Sequence, residues 1–163
     1  MEKTTYKVES FNLDHTKVTA PYVRTASTKT GPKGDVVSKF DIRFTQPNKE
    51  TMSTAGIHTI EHLVAEYIRD ELDGIIDFSP MGCRTGFYLT VFGELSGALS
   101  EALIAEKMLI VLRKVASWPD DKKVPGLDPK ECGNYQEHNL SDAKFWAQKW
   151  VTGIEQKGFS CYQ

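Results

Sequence analysis

Residues 57–68 read Ile57-His58-Thr59-Ile60-Glu61-His62-Leu63-Val64-Ala65-Glu66-Tyr67-Ile68, and their period decides how the flanking segments must be arranged. At about 100° per residue, with His58 at 0°, Ile57, Ile60, Leu63, Val64, Tyr67 and Ile68 occupy an arc from roughly 140° to 280°, a wide apolar face. Glu61, His62 and Ala65 fall near 300°, 40° and 340°, so His58, Glu61 and His62 share a second face. Thr59, Glu66 and Asp70 fill a narrow polar stripe. The segment reads as a helix buried along one side, lining a cavity along its histidine side.

That second face carries H-x-x-E-H. Imidazoles at i and i+4 lie one above the other and can grip one cation, with Glu61 within reach as an acid or base. A single histidine would read as a core or solvated residue; two with an intervening Glu reverse that balance toward a metal. A tight site needs a third ligand, and a catalytic one keeps a fourth position open. Cys132 and Cys83 are the candidates. Cys132, beside Gly133 in a Gly-rich loop, has the flexible approach suited to ligation and is assigned to the metal, leaving Cys83 as an unligated thiol in a strand-to-strand turn. An isolated cysteine is otherwise a small buried hydrophobe, and Cys161 keeps that role. A His2Cys site suits zinc or ferrous iron, either acting as a Lewis acid. With a carboxylate and a free thiol nearby, carbonyl isomerisation or elimination fits better than simple hydrolysis.

Outward from this helix the pattern alternates between strands and turns. Tyr22 to Thr28 reads as a strand, 30–35 as a turn, and Val36 to Phe44 as a strand with Phe40, Ile42 and Phe44 opposing Lys39, Asp41 and Arg43. Ser53 or Thr54 caps the histidine helix, which runs to about Leu72 before Gly74. Ile75 to Ser79 and Gly86 to Gly93 flank the tight connection Pro80-Met81-Gly82-Cys83-Arg84, which places Cys83 at the lip of the sheet. A helix opens at Ser96 and runs to about Ser117, where Trp118-Pro119-Asp120 stops it; 121–133 is a loop. A last helix from Ser141 to near Gly158 stacks Trp146, Trp150 and Ile154 as core or interface rather than a ligand cage. The order β-β-α-β-β-α-α with hairpin-length connections points to an α+β fold, an antiparallel β-sheet with helices packed on it.

The 163 residues hold one domain's worth of core, so 1–163 is read as a single catalytic domain. A net charge of −2 leaves no basic footprint for nucleic acid. The first residues lack an apolar leader and the longest apolar run, Met108 to Leu112, is too short to span a bilayer, so no membrane partner and a cytoplasmic location are expected. Three widely spaced cysteines fit reduced thiols rather than a disulfide framework.

The chain resembles the LuxS family, the S-ribosylhomocysteine lyases, from about Val8 to Gly153. The likeness rests on Val8-Glu9-Ser10-Phe11-Asn12-Leu13-Asp14-His15, Ala20-Pro21-Tyr22-Val23-Arg24, Phe40-Asp41-Ile42-Arg43 with Gln46-Pro47-Asn48, His58-Thr59-Ile60-Glu61-His62-Leu63, Ser79-Pro80-Met81-Gly82-Cys83-Arg84-Thr85-Gly86, and Cys132-Gly133. The resemblance implies a LuxS/metallopeptidase-like fold with one divalent metal per subunit on His58, His62 and Cys132, Fe2+ with Zn2+ or Co2+ able to substitute. It implies that Cys83 is the catalytic thiolate and Glu61 the acid/base of the later elimination. The neighbouring Arg84 and the metal are the positive charges expected to favour that thiolate. The implied reaction moves the carbonyl of S-ribosylhomocysteine from C1 to C2 to C3 and then eliminates homocysteine. The other product is 4,5-dihydroxy-2,3-pentanedione, the autoinducer-2 precursor. By the same resemblance the enzyme is a homodimer with sites at the interface, where Ser10, Phe11, His15 and Arg43 of one subunit hold substrate at the other and Asp77 takes the homocysteine amine. His138 is read as structural or supporting.

Two rivals are separable. An H-x-x-E-H zinc protease would use a distant Glu as ligand and has no need of two poised cysteines. A structural or sensing metal module would have a closed site with a fourth protein ligand.

Overall fold

The computed structural model describes residues 5–95 and 99–162. Its elements are β1 (Tyr22–Thr30), β2 (Val36–Arg43), α1 (Thr54–Tyr67), β3 (Ile75–Pro80), β4 (Gly86–Phe92), α2 (Glu101–Ala116) and α3 (Leu140–Lys157). The strands form one antiparallel sheet in the order β1-β2-β4-β3, the α+β arrangement expected. Alternation along β2 turns Phe40 and Ile42 to one face, where Phe78, Phe87 and Leu89 join them from the neighbouring strands. That face packs on all three helices, with Ile60, Leu63 and Val64 of α1, Met108 and Leu112 of α2, and Trp150 and Ile154 of α3 in the same core. Each such large apolar side chain, fully buried, contributes about 1.5–3 kcal/mol of transfer free energy. Trp146, Trp150 and Ile154 are therefore core residues.

Each helix begins where a short polar side chain satisfies an orphan amide: Ser53 accepts from Gly56 N, Ser100 from Leu103 N, and Asn139 from Asp142 N. The expected opening of the second helix at Ser96 lies outside the described residues; α2 itself starts at Glu101. α1 stops sooner than its apolar pattern does, because the chain tightens into a 3-10 turn over Ile68–Asp70 before Gly74 turns it with φ +77°. Among the described residues no helix is long and apolar enough to cross a membrane.

The other face of the sheet, where alternation sets Asp41 and Arg43 opposite the apolar side chains, is also closed to solvent at these two residues. Asp41 and Arg43 are 0% and 1% exposed, held in a bidentate pair with Arg43 Nε to Asp41 Oδ1 at 3.1 Å and Nη2 to Oδ2 at 2.7 Å. β1 and the segment before it cover them: Tyr22 donates to Asp41 at 3.3 Å, Arg24 reaches Asp41 at 3.5 Å, and Glu9 takes the other side of Arg24 at 2.7 Å. Val18, Tyr22 and Cys161 form a small second cluster beside them, and Thr19 N donates to Cys161 O, so Cys161 is a buried hydrophobe as expected.

Candidate active site

α1 presents His58 and His62 toward the long connection between α2 and α3, which closes over it at two points. His58 Nδ1 lies 2.8 Å from Glu137 O and His62 Nδ1 lies 2.7 Å from Pro125 O. A carbonyl only accepts, so each Nδ1 carries the proton and each Nε2 keeps its lone pair, the tautomer a metal ligand needs. Cys132 Sγ lies 3.4 Å from His58 Nε2 and accepts from Asn134 N at 3.4 Å. One donor atom from each of His58, His62, Cys132 and His138 falls within 4.8 Å of the others. Two preset imidazoles and a sulfur converging on one point fit a divalent cation.

His138 is one donor more than the sequence reading placed there. Its ring stacks on His58 with centroids 4.0 Å apart and meets His62 edge-on at 4.7 Å. Thr59 Oγ1 donates to Ala55 O at 2.9 Å and accepts from Asn139 N at 2.9 Å, so it can only accept from His138 Nδ1, 3.1 Å away. His138 Nε2 then bears a buried lone pair with no hydrogen-bond partner. Burial, reinforced by the two neighbouring imidazoles, holds this group down at about 4, so it is neutral at pH 7. The available signal was His138 standing six residues after Cys132 in the same loop. Thr59, expected on the polar stripe, is fully buried by this contact.

Glu61 Oε2 lies 3.7 Å from His62 Nε2. Burial pushes the Glu61 carboxyl up, the imidazoles pull it down, and Asp77 on β3 adds a further upward push. A carboxyl so placed holds its proton to higher pH than a solvated one, which suits an acid/base. Asp77 is exposed and electrostatically coupled to Glu61.

Cys83 keeps different company. It is exposed in the turn after β3, at the lip of the sheet. With His15, Arg43, Asn48 and Thr85 it lines a cavity of about 380 Å3, whereas Glu61 and His62 line another with Pro125 and Gly126. Arg84, the charge expected beside it, donates instead to Met52 O at 3.3 Å. The guanidinium linked to Cys83 is Arg43, through Thr85. His15 Nδ1 lies 2.9 Å from Leu13 O, Ser10 lies beside Tyr88, and Phe11 is 65% exposed against Tyr6.

Gly126 couples the start of that connection to the candidate metal donors. Its φ is +72°, and a Cβ there would lie 2.7 Å from His62 Nδ1. Gly126→Ala must therefore displace the imidazole or the Pro125 carbonyl that orients it. Loss of such an orienting contact typically costs roughly 10–100-fold in metal affinity. Competition against a chromophoric chelator measures it, and an unchanged affinity in the folded variant would contradict the coupling.

The chain is similar to known proteins over most of its length. The family model for S-ribosylhomocysteinase (LuxS) matches residues 8–159. The chain is 51% identical over 154 residues to the S-ribosylhomocysteine lyase of Lactobacillus acidophilus, covering 94% of this chain and 93% of that protein. It is 52% identical over 163 residues to the S-ribosylhomocysteine lyase of Pediococcus pentosaceus, covering 94% and 96%. The lyase of Streptococcus sanguinis is 51% identical over 153 residues, covering 93% of each.

Proposed function

We infer the reaction from the premise that the chain belongs to the S-ribosylhomocysteinase (LuxS) family: it is a carbon–sulfur lyase that cleaves S-ribosylhomocysteine to homocysteine and 4,5-dihydroxy-2,3-pentanedione, the autoinducer-2 precursor. The observation that carries the assignment of residues is the pair of Nε2 lone pairs turned toward Cys132 Sγ with Glu61 beside them. His58, His62 and Cys132 would hold the divalent ion, Fe2+ with Zn2+ or Co2+ as substitutes. When bound, it supplies Lewis-acid polarisation of the sugar oxygens.

Proton traffic falls to the protein. Cys83, as thiolate, removes a proton from the carbon beside the carbonyl and returns it to the former carbonyl carbon, so with a proton passed between the two oxygens each carbonyl shift is internally balanced and needs no redox partner. Glu61 moves protons between sugar oxygens and serves the elimination, in which C4 loses its proton as the C5–S bond breaks and homocysteine leaves. Asp77, which acts electrostatically on Glu61, would take the homocysteine ammonium.

The separation of Cys83 from the Glu61 cavity supports completion of the site in a homodimer. Ser10, Phe11, His15, Arg43 and Cys83 of one subunit would face the metal donors of the other. A single compact domain over 1–163, working in the cytoplasm, accords with this reading.

Thiol release from S-ribosylhomocysteine by anaerobically prepared, metal-loaded protein tests it. Release is expected to stop on chelation and return on reloading. One observation favours a second reading, a closed structural site: His138 supplies a fourth donor. A fully loaded, folded protein that releases no homocysteine would select that reading.

A further inference from the structure

The turn that carries Cys83 ends on Thr85, immediately before β4. Thr85 is 4% exposed, and its carbonyl accepts from Phe44 N and Thr45 N at 2.9 and 3.1 Å, which ties it to the end of β2. Its Oγ1 lies 2.7 Å from Arg43 Nη1 and 3.0 Å from Cys83 Sγ. A guanidinium has five donors and no acceptor, so the Arg43 contact takes a lone pair of Oγ1 and leaves the hydroxyl proton to be placed elsewhere. Leaving that proton unpaired in a buried site is costly. Among the hydrogen bonds of the described residues, Cys83 Sγ is the remaining partner. Arg43 cannot turn away, because Nε and Nη2 are both committed to Asp41.

We propose that Thr85 is a positioning residue for Cys83: its hydroxyl donates to Sγ, and Arg43 fixes the direction of that bond from behind. The pair Arg43–Thr85 thereby delivers a buried positive charge to the sulfur through one hydroxyl. A hydroxyl aimed at sulfur favours the thiolate over the thiol, whose own S–H would compete for the same geometry. The inference rests on Cys83 being the reacting thiolate, but it can be read on the thiol itself.

The test is the pH profile of Cys83 alkylation by iodoacetamide in the metal-loaded protein, followed by peptide mapping so that Cys132 and Cys161 do not contribute. Thr85→Val keeps the shape and removes the hydroxyl; Thr85→Ser keeps the hydroxyl. Loss of a hydrogen bond to a charged group should shift the thiol–thiolate balance about ten- to a hundredfold, displacing the Thr85→Val profile upward by about one to two pH units. Thr85→Ser should stay with the wild type. Should Thr85→Val fail to fold, Thr85→Ala, which leaves space for water beside Arg43, takes its place. A folded Val or Ala variant with an unmoved profile, or a Ser variant displaced as far as Val, would overturn the proposal. Full turnover by Cys83→Ala would instead sink the role of Cys83 on which it rests.

Discussion

Glu61→Gln lowers kcat for homocysteine release by roughly 10²–10⁴-fold, the range expected when a positioned acid/base is removed, while metal content stays at the wild-type level. The amide has the shape of the carboxyl but cannot carry a proton back and forth. His58, His62 and Cys132 keep their orienting partners in Glu137 O, Pro125 O and Asn134 N, none of which involves Glu61. Cys83→Ala gives a loss of the same order. Metal analysis and thiol release on one preparation check both, and a kcat loss below about tenfold in a loaded variant would remove Glu61 from the chemistry. The two variants also test how the site is assembled. If Cys83 of one subunit serves the metal of its partner, mixing the two inactive proteins under exchange makes mixed dimers that each hold one complete site. Half of the dimers are mixed, so about a quarter of the wild-type rate returns. A site built within one subunit regains nothing.

How much of this was legible in the sequence depends on how local each feature is. His58, Glu61 and His62 lie within five residues, so helical spacing alone puts them on one face. The strand pairs and turns follow from alternation and breakers of the same short range. Non-local closure hides the rest. Thr59 looks like a polar stripe on the wheel, yet Asn139 and His138, some eighty positions on, bury it. His138 enters the donor cluster only because that same contact lays the loop across α1. Asp41 and Arg43 alternate like surface charges, and no period reveals that Tyr22, Arg24 and Glu9 close over them. Arg84 looked like the charge for Cys83 because it is adjacent in sequence; the backbone at Arg84 has φ +59° and its side chain goes to Met52 O. Adjacency along a tight turn is a poor guide to direction.

That buried ionic cluster sets the largest expected stability effect. Asp41 is the acceptor on which Arg43, Arg24 and Tyr22 converge, and Arg43 has almost no access to solvent. Asp41→Ala removes the carboxylate and leaves the guanidinium buried without its counter-charge, a change that costs about 3–5 kcal/mol when one partner of a buried pair is deleted. The intact pair contributes far less than that, because desolvation of both ions offsets most of their attraction. Replacing Asp41 and Arg43 together by apolar residues of similar size should therefore recover much of the loss. Urea unfolding of the two variants reads this directly, and a single-variant loss under about 1 kcal/mol would show that the guanidinium finds water after all. The functional consequence differs between the two. Without Arg43 nothing holds Thr85 Oγ1 from behind, so the double variant, although restored in stability, is expected to keep the alkylation profile of Thr85→Val and a depressed kcat. Stability and thiol reactivity would then part company at one pair of residues, as they should if the charge is retained in the sheet for the sake of Cys83 rather than for the fold.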